Sequence, residues 1–379
     1  MLTDEEPFRE LPQALVDELL GQVDDLSETI GSNLKNLLEN RNRLREALSE
    51  EINLDRELGH VEAPTTCGTD GSYVVERLLS VDIAAYGAVA LEGLIPPSER
   101  RHWSDPHHFT HAYVASHNDR TGVVLRAIMI AQELNLAVEA PHDVVMIDGS
   151  MTTPIIFLNQ ALNSLSAIPS GNLRDDFVGI TKVALDNYLD ILTSPRSDKT
   201  YIGLPKYTSR REVARKLDDS STFEDRGILT FVLEPGEFVG PYHLDPDRQE
   251  GWHLNVEKHP DPSQLESKAS EIATALDRLS VVYYKPRSWL PAIRLEVAER
   301  VVSNRQRLGQ MLEGIRYQCP KGSIFEPYPI YIADRIVKHL ARAVPAIRQA
   351  SAQSMAIREV ADAGSIYLAM RDYRTETGR

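Results

Sequence analysis

Two Asp-Gly-Ser triplets, Asp70-Gly71-Ser72 and Asp148-Gly149-Ser150, stand within or at the end of apolar stretches of the 379-residue chain. Asp-Gly is a favoured hairpin-turn pair, so either triplet alone reads most simply as a turn. Their pairing points elsewhere. Asp148 follows Val144-Val145-Met146-Ile147 and precedes a helical pattern, which sets it at the carboxyl end of a strand, where α/β proteins commonly place ligand groups. Two such aspartates on neighbouring strands would meet. Between them, Arg126 and Glu133 are seven residues apart and share one helix face, with Glu139 a nearby competitor for the role of third carboxylate. Three hard oxygen ligands at a sheet edge suit Mg²⁺ or Mn²⁺. Such ions hydrolyse phosphodiesters by orienting an attacking water and neutralising charge on the leaving oxygen.

The elements that must position these groups follow from periodicity. Between Leu11 and Leu54, apolar residues at Leu15, Leu19, Val23, Leu26, Ile30, Leu34, Leu37, Leu44 and Leu48 step by three, four and seven, which predicts an amphipathic helix with breaks at Gly21 and Gly31. Its seam needs cover, either from the same domain or from a second copy. From Ala63 to Leu94, β-branched and apolar runs interrupted by glycine predict three short strands, over 65–73, 74–85 and 87–94. A His-rich loop (101–120) leads to a helix over Thr121–Ala140, a strand ending at Asp148, a helix over Pro154–Leu165 and a strand over Asp176–Lys182. That order defines an α/β arrangement, a mixed sheet covered by helices. Residues 193–226 read as a loop excursion around a short helical piece at Arg210–Leu217. Strands are predicted at Gly227–Leu233, Val281–Lys285 and Ala292–Val297, and helices at Ala298–Leu312 and Ile330–Ala350.

Composition narrows the classes. Hydrophobic residues make up 42% and charged residues 26%, as in globular proteins, and no apolar run approaches the ~18 residues of a membrane helix. The acidic start, Met1-Leu2-Thr3-Asp4-Glu5-Glu6, has no apolar core of a secretory signal, so a soluble, cytoplasmic protein is expected. The formal net charge of −15 repels polyanions, so nucleic acid requires a local groove or bound metal ions. Two cysteines, Cys67 and Cys319, exclude a four-cysteine zinc site. His107 and His111 have i, i+4 spacing, but His-Glu-x-x-His is absent and Asp105-Pro106 favours a surface loop over a zinc site. A Gly-x-Ser-x-Gly elbow and Gly-rich phosphate loops are absent too, so ATP would be handled by a partner.

The sequence resembles the NurA nucleases of archaea and bacteria, a family with an RNase H-like fold. The resemblance is carried by Gly68-Thr69-Asp70-Gly71-Ser72, the helix from Leu125-Arg126 through Glu133, Val144 to Ser150, Phe177 to Lys182, Ile293-Arg294-Leu295-Glu296 and Pro327 to Asp334, in that order. It implies an N-terminal helical arm (1–60) and a nuclease domain (61–379) with an RNase H-like core and an insertion around 193–226. It also implies a Mn²⁺- or Mg²⁺-dependent DNA nuclease, homodimeric, partnered by the hexameric ATPase HerA in DNA-end resection. On that carry-over Asp70, Glu133 and Asp148 are the metal-binding, catalytic carboxylates. Asp334 stands where the family usually has histidine, and Glu326 where it often has tyrosine; as an oxygen ligand Asp334 serves as a fourth carboxylate. The alternative is a catalytically weakened interaction subunit of a HerA-type complex, or the same nuclease used in anti-phage defence.

Lys182, at the end of a predicted strand next to that of Asp148, is the candidate catalytic cation; the plainer reading is a solvated strand-end lysine. Candidate DNA contacts are Arg126, Arg294 and the basic run Lys206, Arg210, Arg211, Arg215 and Lys216, preceded by Tyr201 and Tyr207 for base stacking; the run is equally consistent with a solvated helix face.

Overall fold

A computed structural model describes residues 11–208, 211–217, 224–244 and 251–378. The chain opens with α1 (Gln13–Gly21) and α2 (Val23–Ala47), which are nearly continuous because Gln22 between them keeps right-handed helical geometry. Gly31 does not interrupt α2. A short β1 (Asn53–Leu54) precedes the antiparallel strands β2 (Thr66–Leu78), β3 (Asp82–Glu92) and β4 (His107–Ala115). Then come α3 (Thr121–Glu139), β5 (Val144–Asp148), α4 (Thr153–Ser164), α5 (Asn172–Thr193) and β6 (Thr200–Leu204). The second half contains α6 (Ala214–Leu217), α7 (Asp225–Val232), β7 (Glu237–His243), α8 (Glu266–Leu276), β8 (Leu279–Tyr284) and β9 (Ile293–Ala298). It closes with α9 (Glu299–Val302), α10 (Arg305–Tyr317), α11 (Tyr328–Val337), α12 (Leu340–Ile357), α13 (Ala363–Ala369) and β10 (Asp372–Gly378).

All strands join one mixed sheet in the order β1-β7-β8-β9-β6-β5-β2-β3-β4, with β10 added to the later half of β2. β2, β5 and β6 are parallel at its centre. One core, built on α3, α4, α5 and α8, covers one face, and a second, around Leu308, Met311, Leu312, Ile315 and Ile330 of α10 and α11, covers the other. This is the RNase H-like α/β arrangement. α3 is long and apolar enough to cross a membrane, yet most of it is buried between sheet and helices, so its apolarity is that of a core element.

Several local expectations are overturned. The stretch 65–94 forms two long strands rather than three short ones; the third strand, β4, is the His-rich segment expected to be a loop. Asp70-Gly71-Ser72, expected in a strand over 65–73, lies in the middle of the longer β2. Residues 176–182 are helical: Leu173, Phe177, Thr181, Ala184, Leu185 and Tyr188 are buried at three- and four-residue steps, a longer period than the short run Phe177–Ile180 reveals. Most of the expected strand over 227–233 lies instead in α7, by the same spacing of Ile228, Leu229 and Val232. The excursion over 193–226 contains β6, a central strand buried throughout. The helix expected over 298–312 is divided because Asn304 leaves the helix and accepts hydrogen bonds from the Gln306 and Arg307 amides, capping α10.

β2 approaches α11 at Gly68, where an added Cβ would sit 2.7 Å from the Pro329 carbonyl carbon and 2.8 Å from the Ile330 nitrogen. Backbone cannot yield as a flexible side chain can. Gly68→Ala is expected to lower stability by about 1–3 kcal/mol, read as a lower urea midpoint.

Candidate metal centre

The parallel register pairs Thr69 with Ile147, so Asp70 and Asp148 stand level on adjacent strands one residue further on. Side chains alternate along β2: Gly68 faces α11, and so does Asp70, while Gly71 faces α3. Asp334, on α11, meets the two aspartates there. One carboxylate oxygen from each of Asp70, Asp148 and Asp334 lies within 4.8 Å of the others. Glu133 arrives from α3 on the opposite face, over Gly71. A Cβ on Gly71 would come within 2.3 Å of its Oε1, so the missing side chain is what admits this carboxylate.

Two ammonium groups oppose the cluster. Lys206, just past β6, places Nζ 2.9 Å from Asp148, 3.1 Å from Glu326 and 3.6 Å from Asp334, and Lys338 pairs with Asp334 one helical turn away. Five carboxylates against two lysines leave a marked negative excess. Burial, then Asp148, pushes the Asp70 carboxyl well up. Burial, then Asp70 and Asp148, does the same to Glu133. Asp148 and Glu326 are also raised by burial, each opposed by Lys206. Burial works against the charge of Lys206, but Asp148 and Glu326 outweigh it and hold the ammonium above its ordinary range. A converging set of hard oxygen donors without nitrogen or sulfur fits Mg²⁺ or Mn²⁺.

The other candidates divide. Lys182 is exposed on α5, not at a strand end, so the cation at the cluster is Lys206, assigned above to DNA. Arg294 is fully buried with two hydrogen bonds to Glu212, at 2.7 and 2.8 Å, and so is not available to a phosphate. Arg126 stacks on Phe157 at 3.7 Å and donates to Gln160, both on α4. Tyr201 is a core residue of β6, whereas Tyr207 is exposed. Arg211 is half-buried, and Arg210 lies outside the described residues. Glu139 is exposed and binds Asn135. Among the described residues, no three histidines converge; His107 stacks on Trp103 and His117 pairs with Asp82. Lys206 is legible in sequence as a charge but not by place, because the five residues of β6 show no strand period of their own.

Aspartates level on adjacent parallel strands, in a mixed sheet covered on both faces by helices, define an RNase H-like α/β protein with a carboxylate centre. Within that class the chain has the fold of the NurA nucleases. It is similar to the NurA nuclease from Sulfolobus solfataricus, with 15% identity, TM-score 0.55, and coverage of 86% of this chain and 92% of that one. It is also similar to NurA bound to dAMP and manganese, with 14% identity, TM-score 0.51, and coverage of 86% and 96%. NurA with manganese matches at 14% identity and TM-score 0.50, covering 87% and 98%. No protein-family model matches the chain, and no curated protein is significantly similar to it.

The raised carboxyls make the metal-free protein sensitive to pH. Asp70, Glu133 and Asp148 hold protons more tightly folded than unfolded, so their contribution to stability is greatest below the ordinary carboxyl values of about 4 and is lost as pH rises through the raised ones. In EDTA at pH 8, Glu133→Gln is expected to melt at a higher temperature than wild type and to show a shallower dependence on pH.

Proposed function

We propose that this chain is a metal-dependent deoxyribonuclease that hydrolyses DNA phosphodiesters, working in the cytoplasm as a homodimer with a HerA-type hexameric ATPase. The observation that carries the reading is the convergence of Asp70, Asp148 and Asp334, with Glu133 behind them, at the centre of a NurA-like sheet. Asp70, Asp148 and Asp334 would hold Mn²⁺ or Mg²⁺, with Glu133 completing the carboxylate set. When bound, the ion activates water and offsets charge on the leaving oxygen. Lys206 takes the part expected of Lys182, neutralising a phosphate oxygen. Tyr207, exposed beside it, offers a stacking face to a base.

A second reading, a non-cutting interaction subunit, has its own support: Glu326 and Asp334 bind Lys206, and the ammonium neutralises part of the cluster without a metal. Cleavage of end-labelled linear single- and double-stranded DNA separates the two, in Mn²⁺, Mg²⁺ or EDTA, with and without a HerA-type ATPase. Metal-dependent cutting is expected, reduced by roughly 100-fold or more in Asp70→Ala, Asp148→Ala and Lys206→Ala and unchanged in Lys182→Ala. A folded protein that never cuts yet binds the ATPase supports the second reading. The homodimer is supported by the bare seam of α1 and α2, where Leu15, Leu19, Val23, Leu26 and Ile30 are exposed while Leu37 and Leu44 pack on the body of the protein. Light scattering is expected to show dimers, dissociated by Leu26→Asp with Ile30→Asp.

A further inference from the structure

We infer that Glu296, held by the buried Arg294, is a positioning residue for the turn that follows Asp148, and so sets the affinity of the carboxylate centre for its metal. The inference rests on the metal-binding reading of Asp148. Its basis is a hydrogen-bond network separate from the carboxylate cluster. Glu296 lies on β9, opposite Gly203 of β6, and its side chain reaches across that strand to the turn after β5. Its Oε2 accepts from the Ser150 hydroxyl at 2.6 Å and from the Met151 amide at 2.9 Å; its Oε1 accepts from Arg294 Nε at 3.0 Å. The turn is fixed on its other sides too. The Tyr188 hydroxyl donates to the Met151 carbonyl, the Gly149 amide donates to the Leu204 carbonyl at 3.3 Å, and Gly149 takes φ +102°, a conformation that favours glycine.

Gly203 is the gap that lets the turn lie close against β6, within reach of Glu296. A Cβ there would lie 2.8 Å from Met151 Cγ and 3.1 Å from both the Gly149 oxygen and the Met151 nitrogen. Arg294 has no exposed surface and spends its remaining donors on Glu212, whose carboxyl it helps to hold at about 2 against the upward pull of burial, and on the Tyr283 hydroxyl. Tyr283 also donates to Asp225, which accepts the Val213 and Ala214 amides at 3.0 and 2.6 Å. One guanidinium therefore ties the segment 212–214, downstream of Lys206, to the turn two residues past Asp148. A buried ion pair is a poor device for stability alone, since apolar residues of equal volume commonly serve as well. It is an effective device for aiming a ligand, and partners that orient metal ligands typically change metal affinity 10- to 100-fold when removed.

The test is Mn²⁺ titration calorimetry on the full-length protein, beside EDTA melting curves, for wild type, Asp148→Ala, Ser150→Ala, Ser150→Thr and Glu296→Gln. Ser150→Ala removes one donor to Glu296, with the acceptor of the Thr152 amide, from a partly exposed site, while Ser150→Thr keeps both, so the inference stays testable if Glu296→Gln fails to fold. We expect Mn²⁺ affinity to fall about 10-fold or more in Ser150→Ala and Glu296→Gln and to recover in Ser150→Thr, with the EDTA melting curve of Ser150→Ala unchanged. Wild-type affinity in a folded Ser150→Ala, alongside loss in Asp148→Ala, overturns the positioning role and leaves the metal centre standing. Failure of wild type to bind Mn²⁺, or equal binding by Asp148→Ala, overturns both.

Discussion

Like charges crowded at a buried sheet centre are the constraint on which the rest of this structure turns. Parallel pairing of β2 with β5 brings Asp70 and Asp148 level, and α3 and α11 add Glu133 and Asp334 from opposite faces. Burial and their mutual repulsion make Asp70, Glu133 and Asp148 resist ionisation. Lys206 and Lys338 relieve part of that, and a divalent cation would relieve the rest. A centre arranged this way costs stability when empty, a cost that a bound divalent cation would offset.

Close approach is the other half of the design, and glycines supply it. Gly68 lets α11 lie against β2, Gly71 leaves room for Glu133 to reach the sheet from the far side, and Gly203 lets the turn after β5 lie against β6, where Glu296 meets it. None of these serves primarily as a flexible joint. Each is a missing Cβ where two elements must meet at less than side-chain distance. The surrounding cores hold the helices rigidly enough for such short approaches to be kept.

The buried guanidinium of Arg294 shows why a residue type does not reveal a role. In sequence it is one cation among many, as suitable for phosphate as Lys206. In the fold it is enclosed by Glu212, Tyr283 and Glu296 and serves the interior, while Lys206, grouped with a basic run, stands at the carboxylates. Which cation faces the cluster depends on β6 being a central strand, and β6 is only five residues long in a polar neighbourhood, too short to show a period.

The sequence by itself determined the α/β class, the α3 and β5 elements and the amphipathic arm. It also singled out Asp70, Glu133, Asp148 and Asp334, through two Asp-Gly-Ser triplets, a helix-spaced glutamate and the ordered pieces of a family resemblance. Those signals are local: a strand followed by a turn, or a helical period, is written in contiguous residues. Packing between distant segments decides that the His-rich segment is a strand, that 176–182 is helix, that Lys206 replaces Lys182 at the cluster, and that Glu296 reaches Ser150 from 146 residues away. Those outcomes depend on which strands lie side by side, and strand adjacency is set by the packing of distant segments, which no local pattern encodes.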